Sequence, residues 1–373
     1  MNTDLSKSFV GFFSSNPSDD LFKSCTYILD ANVLLGLYRL DVKDRDSLLN
    51  ILRAVAKAKK LWAPHQTMVE FFGMRGRVVL EQMEEFKHIE RQLNAVRKRI
   101  KSGARIGGNK TLMKGFNNEV QPLFDKIISH LEKEKKKNPD YNKNDVIVPE
   151  LENIYKDAVG RAFSRCEIEA LIKEAEYRFQ NNIPPGCGED EKKEGIYSFS
   201  GIALPNKCGD YIIWEQVLNW CENNKGPVVF VTGEEKEDWI DSFGGGRRAR
   251  PELVNEAFYR TGVEFSLVGA DVFLRKASRF YGVKIGKVSI ENISDAAYGG
   301  WKESIYQIIS DLGGEAHLSD VYREVEARRD RLSPSWRSIV RRTIYNHSSD
   351  VDAYLGKEDL FEKVRDGVWR IRD

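Results

Sequence analysis

Five acidic residues occupy positions where a buried carboxylate could do chemistry. Asp30 follows directly on the apolar run Tyr27-Ile28-Leu29. Glu70 lies in an otherwise apolar helical stretch (Met68, Val69, Phe71, Phe72). Asp210 falls in the first turn of a helix opened by Lys207-Cys208-Gly209. Glu234 comes two residues after Thr232, the end of the run Val228-Val229-Phe230-Val231, and Asp238 is one turn further on. A short unbroken apolar run is the pattern of a buried parallel strand, and open α/β sheets bind ligands outside the carboxyl ends of their strands. An acid at such a place is costly to bury unless a cation or hydrogen bonds compensate it. Taken singly, each acid has a plainer reading. Asp30 could cap the next helix, Asp210 could answer a helix dipole, and Glu70 could point to solvent. Taken together, carboxylates that converge on one cleft cannot all stay ionised unless a cation sits among them. Mg²⁺ prefers oxygen donors, retains waters and binds through one or two carboxylates plus substrate phosphates. Such an ion orients and deprotonates a water and neutralises a phosphorane-like transition state, so phosphodiester hydrolysis is the chemistry this set implies.

The surrounding patterns predict the elements that position these acids. Strands are expected at Tyr27–Leu29, Leu61–Ala63, Val228–Thr232 and Val263–Leu267, with helices over 44–59, from Gln66 through Phe72, from Asp210 onward and over 270–281. Between about Arg75 and Gln180 the chain turns into long, Lys/Glu-rich helical stretches broken near 103–108 and 138–144, the pattern of a helical arm or cap. Its basic cluster Lys133–Lys137 with Lys143 is either a solvated helix end or a phosphate contact. Gly244-Gly245-Gly246-Arg247-Arg248-Ala249-Arg250 is a flexible basic loop for which backbone phosphate is a plausible partner. From Gly300 the pattern resets to three amphipathic helices (301–312, 318–328, and one through His347) and a terminal hairpin with an Asp366-Gly367 turn. Three helices plus a hairpin is a winged-helix order. In its third helix Trp336, Ile339, Val340, Thr343 and Ile344 share an apolar face. Arg337, Ser338, Arg341, Arg342, Tyr345 and Asn346 share the other, which suits phosphates and base edges. This segment is slightly acidic overall, so protein contact stays open as its role.

The 373 residues, net charge +1, 41% hydrophobic and 31% charged content describe a charge-rich globular chain with room for two domains. No run of 18 apolar residues occurs, and Met1 to Asp20 lacks a basic-then-apolar signal pattern, so a cytoplasmic location without a membrane partner is expected. Cys25, Cys166, Cys187, Cys208 and Cys221 lack CxxC spacing and are expected to be free thiols rather than a zinc site.

The ordered segments Leu29-Asp30-Ala31-Asn32-Val33-Leu34-Leu35, His65-Gln66-Thr67-Met68-Val69-Glu70-Phe71, Gly209-Asp210-Tyr211-Ile212-Ile213-Trp214 and Phe230-Val231-Thr232-Gly233-Glu234 through Trp239 resemble the successive motifs of the PIN-like nucleases. Ile183-Pro184-Pro185-Gly186 and Arg250-Pro251-Glu252-Leu253 are similar to the larger bacterial branch, which carries a helical insertion. The resemblance covers roughly 20–285. It implies that Asp30, Glu70, Asp210 and Asp238 or Glu234 hold Mg²⁺ or Mn²⁺, and that Thr232 orients a ligand or water. Where the family has an Asp two residues after the Thr, this chain has the longer-reaching Glu234. Glu189, Asp190 and Lys193 of the following loop are implied additions to the site. Residues 300–373 resemble a winged helix-turn-helix module fused to restriction-type nucleases, carried by Leu332-Ser333-Pro334-Ser335-Trp336-Arg337 and Asp359-Leu360-Phe361.

The resulting expectation is an α/β chain: a PIN-like, Rossmann-like parallel sheet flanked by helices in 1–285, with a helical insertion at about 75–180. A linker at 286–299 and a small winged-helix domain at 300–373 complete it. Its expected activity is metal-dependent endonucleolytic hydrolysis, of DNA more than RNA, in phage or foreign-DNA defence, as a homo-oligomer or with a partner protein of such a system. Arg247, Arg248, Arg250, Lys193, Arg337, Arg341, Arg342 and Asn346 are the expected nucleic-acid contacts. Two alternatives stand beside it, a catalytically weak DNA-binding regulator and a toxin-like ribonuclease. Retention of acids at all four metal positions favours the enzyme.

Overall fold

A computed structural model describes residues 5–13, 17–106, 114–137, 141, 143–187, 195–233, 238–241, 248–297, 299, 301–328, 336–354 and 359–372. Its strands, in chain order, are β1 (Thr26–Leu29), β2 (Ile196–Phe199), β3 (Ile202–Pro205), β4 (Val228–Thr232), β5 (Ile240–Asp241), β6 (Arg248–Ala249), β7 (Phe265–Gly269), β8 (Glu315–His317), β9 (Phe361–Arg365) and β10 (Val368–Ile371). The central sheet is parallel with the order β1-β4-β7. Leu61–Ala63, expected as a strand, adds only single bridges. Leu61 pairs with Tyr27 and Ala63 with Val159, both parallel. The last strand is displaced toward the C-terminus of its expected span, because Val263 and Glu264 lead into β7.

Every residue of β1 and β4 is buried, which is why their sequences read as unbroken apolar runs rather than alternating ones. Alternate side chains feed two cores. Tyr27, Leu29, Val229, Val231 and Val268 face the helices Val42–Lys57, Ala270–Tyr281 and Lys287–Ala297. Ile28, Val228, Phe230, Phe265 and Leu267 face the helices Arg165–Gln180, Gly209–Asn224 and Pro251–Thr261. On the second face Trp214 meets Phe265 (ring centroids 4.9 Å) and Trp239 (5.9 Å) edge-on, and Phe230 stacks on Trp239 at 5.1 Å. Such pairs add about 0.5–1.5 kcal/mol each beyond the area they bury.

Two expectations about boundaries change. The change of pattern expected near Arg75 falls inside an element rather than between two. His65–Ile106 is one continuous helix of 42 residues, roughly 60 Å long at 1.5 Å per residue, so one rigid element carries Glu70 at its start and the arm at its end. Gln121–Lys137 packs back along it. Residues 286–299, expected as a linker, contain the helix Lys287–Ala297, which buries Ile293, Ala296 and Ala297 in the first core. Its polar composition hid this, because Ser289 and Ser294 are buried along with the apolar residues and only Lys287 and Val288 are exposed.

The C-terminal segment has its own core, built from Trp301, Ile305, Ile309, Val321, Trp336, Val340, Phe361 and Trp369 among others. Its order is the helix Trp301–Asp311, β8, the helix Leu318–Arg328, the helix Trp336–Asn346, then β9 and β10, with an antiparallel sheet ordered β8-β10-β9. All five cysteines are free. Burial pushes the thiols of Cys25 and Cys221 up to about 12, so both are inert at neutral pH. Among the described residues no helix is long and apolar enough to cross a membrane.

Candidate active site

The parallel order of the sheet sets Asp30 between two neighbours at the carboxyl edge. On one side β4 ends at Thr232, whose Oγ1 donates to Asp30 Oδ2 (3.0 Å). On the other side Leu61–Ala63 runs into the helix that begins at His65. Asp30 stands at the N-cap of Ala31–Leu35 but makes no side-chain capping bond. The plainer reading of this residue therefore does not describe its side chain, which is turned to Thr232.

Glu70 and Asp210 form the second half. The helix Gly209–Asn224 leads through a short connection into β4, so it runs against the strands and its first turn lies at the same carboxyl edge. Glu70 rests on that first turn: a Cβ on Gly209 would lie 2.4 Å from Glu70 Oε1. Only glycine lets the Glu70 carboxylate lie this close to the backbone of the first turn. Asp210 is 7% exposed. Gln66 Nε2 donates to Glu70 Oε1 (3.0 Å) and also to the Tyr197 hydroxyl, while the Gln66 N–H donates to Gln216 Oε1 (2.9 Å). The Tyr197 phenol is held far above its ordinary pKa, first by burial, then by the negative charge of Glu70 and, more weakly, of Asp210. Both carboxylates thus act on one hydroxyl.

Gly209→Ala is expected to move the Glu70 carboxylate while the helix survives, because the atom in the way is the end of a flexible side chain and alanine favours helix. Displacing a reacting-site group by about an ångström lowers turnover by roughly ten- to a hundredfold. Parallel rate and thermal-melting measurements check this. A variant that melts early yet cuts at the normal rate would show that the spacing matters only to the fold.

Sequence reasoning passed over Tyr197 and Gln66. The available signal was the alternation Ile196-Tyr197-Ser198-Phe199 ahead of the Ser200-Gly201 turn, a hairpin pattern just upstream of Gly209-Asp210.

The remaining expected residues are more dispersed. Asp238 is buried and accepts the Gly186 N–H, so it ties the Pro184-Pro185-Gly186 turn to the core beside Trp239. Glu234, Arg247, Lys193, Glu189 and Asp190 lie outside the described residues. Arg248 pairs with Asp241 (3.0 Å) and Arg250 with Glu252 (2.7 Å), so both arginines expected on phosphate have carboxylate partners within the fold. In the C-terminal segment Arg337 pairs with Glu326 (2.8 Å) and lies over the Trp336 ring (4.7 Å), and Arg341 donates to the Tyr322 hydroxyl (3.3 Å). Arg337 and Arg341 are exposed. Arg342, Tyr345 and Asn346, expected outward, are half-buried. Burial pulls the Arg342 guanidinium down to about 10, which leaves it charged at pH 7. The side chains of 134–137 fall outside the described residues, while Lys133 and Lys143 are exposed.

Among the described residues no group of three or more His, Cys, Asp or Glu side chains is placed to hold a metal. The donor chemistry of Asp30, Glu70 and Asp210 nevertheless suits a hard divalent cation, since all offer carboxylate oxygens. A Mg²⁺ site needs only one or two carboxylates with waters and substrate phosphate, and the Glu70–Asp210 pair can provide that number.

Residues 26–253 match the family described as PIN like domain. The match takes in Asp30, Glu70, Asp210, Thr232 and Asp238, and it covers more than half of the chain, which therefore belongs to the PIN-like domain family. Domains of this family are generally nucleases that use divalent metals. No curated protein and no solved structure matches the chain.

Proposed function

We propose that this protein is a metal-dependent endonuclease whose reaction is centred on Asp30, Glu70 and Asp210, with Glu234 and Asp238 as the further acids that the family resemblance implies. The observation that carries this reading is the placement of Glu70 against Gly209-Asp210, next to a strand edge where Asp30 holds Thr232. Mg²⁺ or Mn²⁺ held by these carboxylates would supply an activated water and charge neutralisation at the phosphate. The chain's own contribution is positional. Gln66 holds Glu70 through one N–H and Tyr197 through the other. The Thr232 hydroxyl restrains the Asp30 carboxylate through its bond to Oδ2.

The helix–strand–helix–helix–hairpin order of 301–371 supports reading it as a winged helix that brings the enzyme to DNA, with Arg341 on its exposed helical face. By analogy with such fusions, the biological setting we assign is defence against phage or other foreign DNA. The test is cleavage of single-stranded DNA, duplex DNA and RNA side by side with Mg²⁺, Mn²⁺ and EDTA. Cutting with either metal and none in EDTA is the expected result. Tight duplex binding without cutting under any metal would make the protein a regulator, and cutting confined to RNA would make it a ribonuclease.

A further inference from the structure

The hairpin β2–β3 carries an aromatic surface outward from the carboxylates. Tyr197 and Phe199 are two residues apart on β2 and therefore share one face of it. Tyr197 reaches Gln66 beside Glu70. Phe199 lies edge-on to His65, with ring centroids 5.0 Å apart and planes at 70°. His65 and Gln66 are consecutive at the start of the His65–Ile106 helix, so the inner and outer contacts form one continuous wall. The outer end is not core. Phe199 keeps 41% of its surface exposed and belongs to none of the three buried clusters. Nor does the hairpin depend on it for its position. Leu204 is buried in the second core, and Arg165 Nη2 donates to the Gly201 carbonyl at the turn (2.9 Å).

We infer that Phe199 and His65 form a stacking subsite for one unpaired nucleobase next to the phosphodiester at Glu70 and Asp210, and that the enzyme therefore engages single-stranded or locally opened nucleic acid in preference to closed duplex. A base in an intact duplex has both faces covered by its neighbours, whereas an extruded base offers one to an aromatic side chain. Stacking of this kind tolerates any base, since every base has a π face. Contacts to phosphate alone position a strand without distinguishing paired from unpaired bases. Continuity with the carboxylate edge singles out this occupant, because a protein partner seated on Phe199 would also cover the edge where substrate must enter. Burial lowers the pKa of His65, so its ring is neutral at pH 7 and stacks as an uncharged aromatic.

The inference rests on the nuclease reading, and a binding experiment without cleavage separates the two. The full-length protein is titrated in EDTA with an oligo-dT strand, a strand carrying one 2-aminopurine, and a duplex of the same length. Phe199→Leu, which preserves an apolar side chain in the hairpin, is expected to weaken single-strand binding by roughly fivefold or more and to abolish the 2-aminopurine quench, with duplex binding unchanged. Phe199→Trp is expected to retain both signals. Unaltered single-strand affinity and quenching in Phe199→Leu, or no single-strand binding by the unaltered protein, would overturn the subsite. A protein that never cuts but behaves as expected here keeps the subsite and loses the nuclease reading. One that cuts but ignores Phe199 does the reverse.

Discussion

Asp30→Asn is expected to lower metal-dependent cleavage by about two to three orders of magnitude, on the scale of removing one preorganised electrostatic group from an active site. The substitution removes a charge and little else. The amide oxygen can still accept the Thr232 hydroxyl, whose bond to Asp30 Oδ2 is 3.0 Å, so the strand ends keep their relation and the melting temperature should hardly move. Single-turnover rates over a range of Mg²⁺ and Mn²⁺ concentrations make the measurement. Excess Mn²⁺ that restored the rate would place the loss in metal affinity, and a flat profile would place it in the chemical step. Thr232→Val separates orientation from charge, because it leaves the carboxylate and takes away only the donor. A smaller loss, about tenfold, is expected there. Cleavage by Asp30→Asn at the normal rate would remove this residue from the reaction altogether.

The largest effect on stability is expected from Arg178→Ala. Arg178 is buried in the helix that returns from the arm. Its guanidinium pairs with Glu256 (2.7 Å), donates to the Pro184 carbonyl and lies 4.9 Å from the centre of the Tyr211 ring. Glu256 also accepts from Trp214 Nε1 (3.0 Å). One side chain therefore ties three helices to the turn that Asp238 holds through Gly186. Removing one partner of such a buried pair costs about 3–5 kcal/mol, because the remaining charge is stranded away from water. With Glu256 partly exposed, the lower end of that range applies, and calorimetry should show it as a clear fall in the main transition. The paired replacement Arg178→Met with Glu256→Leu should recover much of the loss, since neither charge is then left alone. If the double variant melted no higher than Arg178→Ala, packing around the arginine stem would be the dominant loss.

Asp30 was legible in the sequence because a fully buried strand must be apolar along its whole length, so the first charge after it marks the edge. The same reasoning found Thr232, Asp210, the helix Ala270–Tyr281 and the Asp366-Gly367 turn of the terminal hairpin. Local patterning suffices for these, since burial period, capping and turn chemistry act over a few neighbouring residues. Residues 286–299 show where it stops. Their mixed composition suits a linker, yet Lys287–Ala297 is a helix packed on the core, where Gly36 and Gly233 leave space for the backbone at Ala296 and Ala297.

The sequence by itself determined the residue types at the carboxyl edge and the apolar strands that end there. Tertiary structure alone decided their partners. Glu70 meets Gly209-Asp210 across 138 intervening positions of chain because one helix starts at the edge where another begins. Asp238 is drawn instead to the Gly186 amide, and Arg248 and Arg250 to Asp241 and Glu252. A carboxylate or guanidinium has the same charge in every sequence context. Which opposite charge or amide it meets depends on how the helices close over the sheet, and no local pattern records that distance.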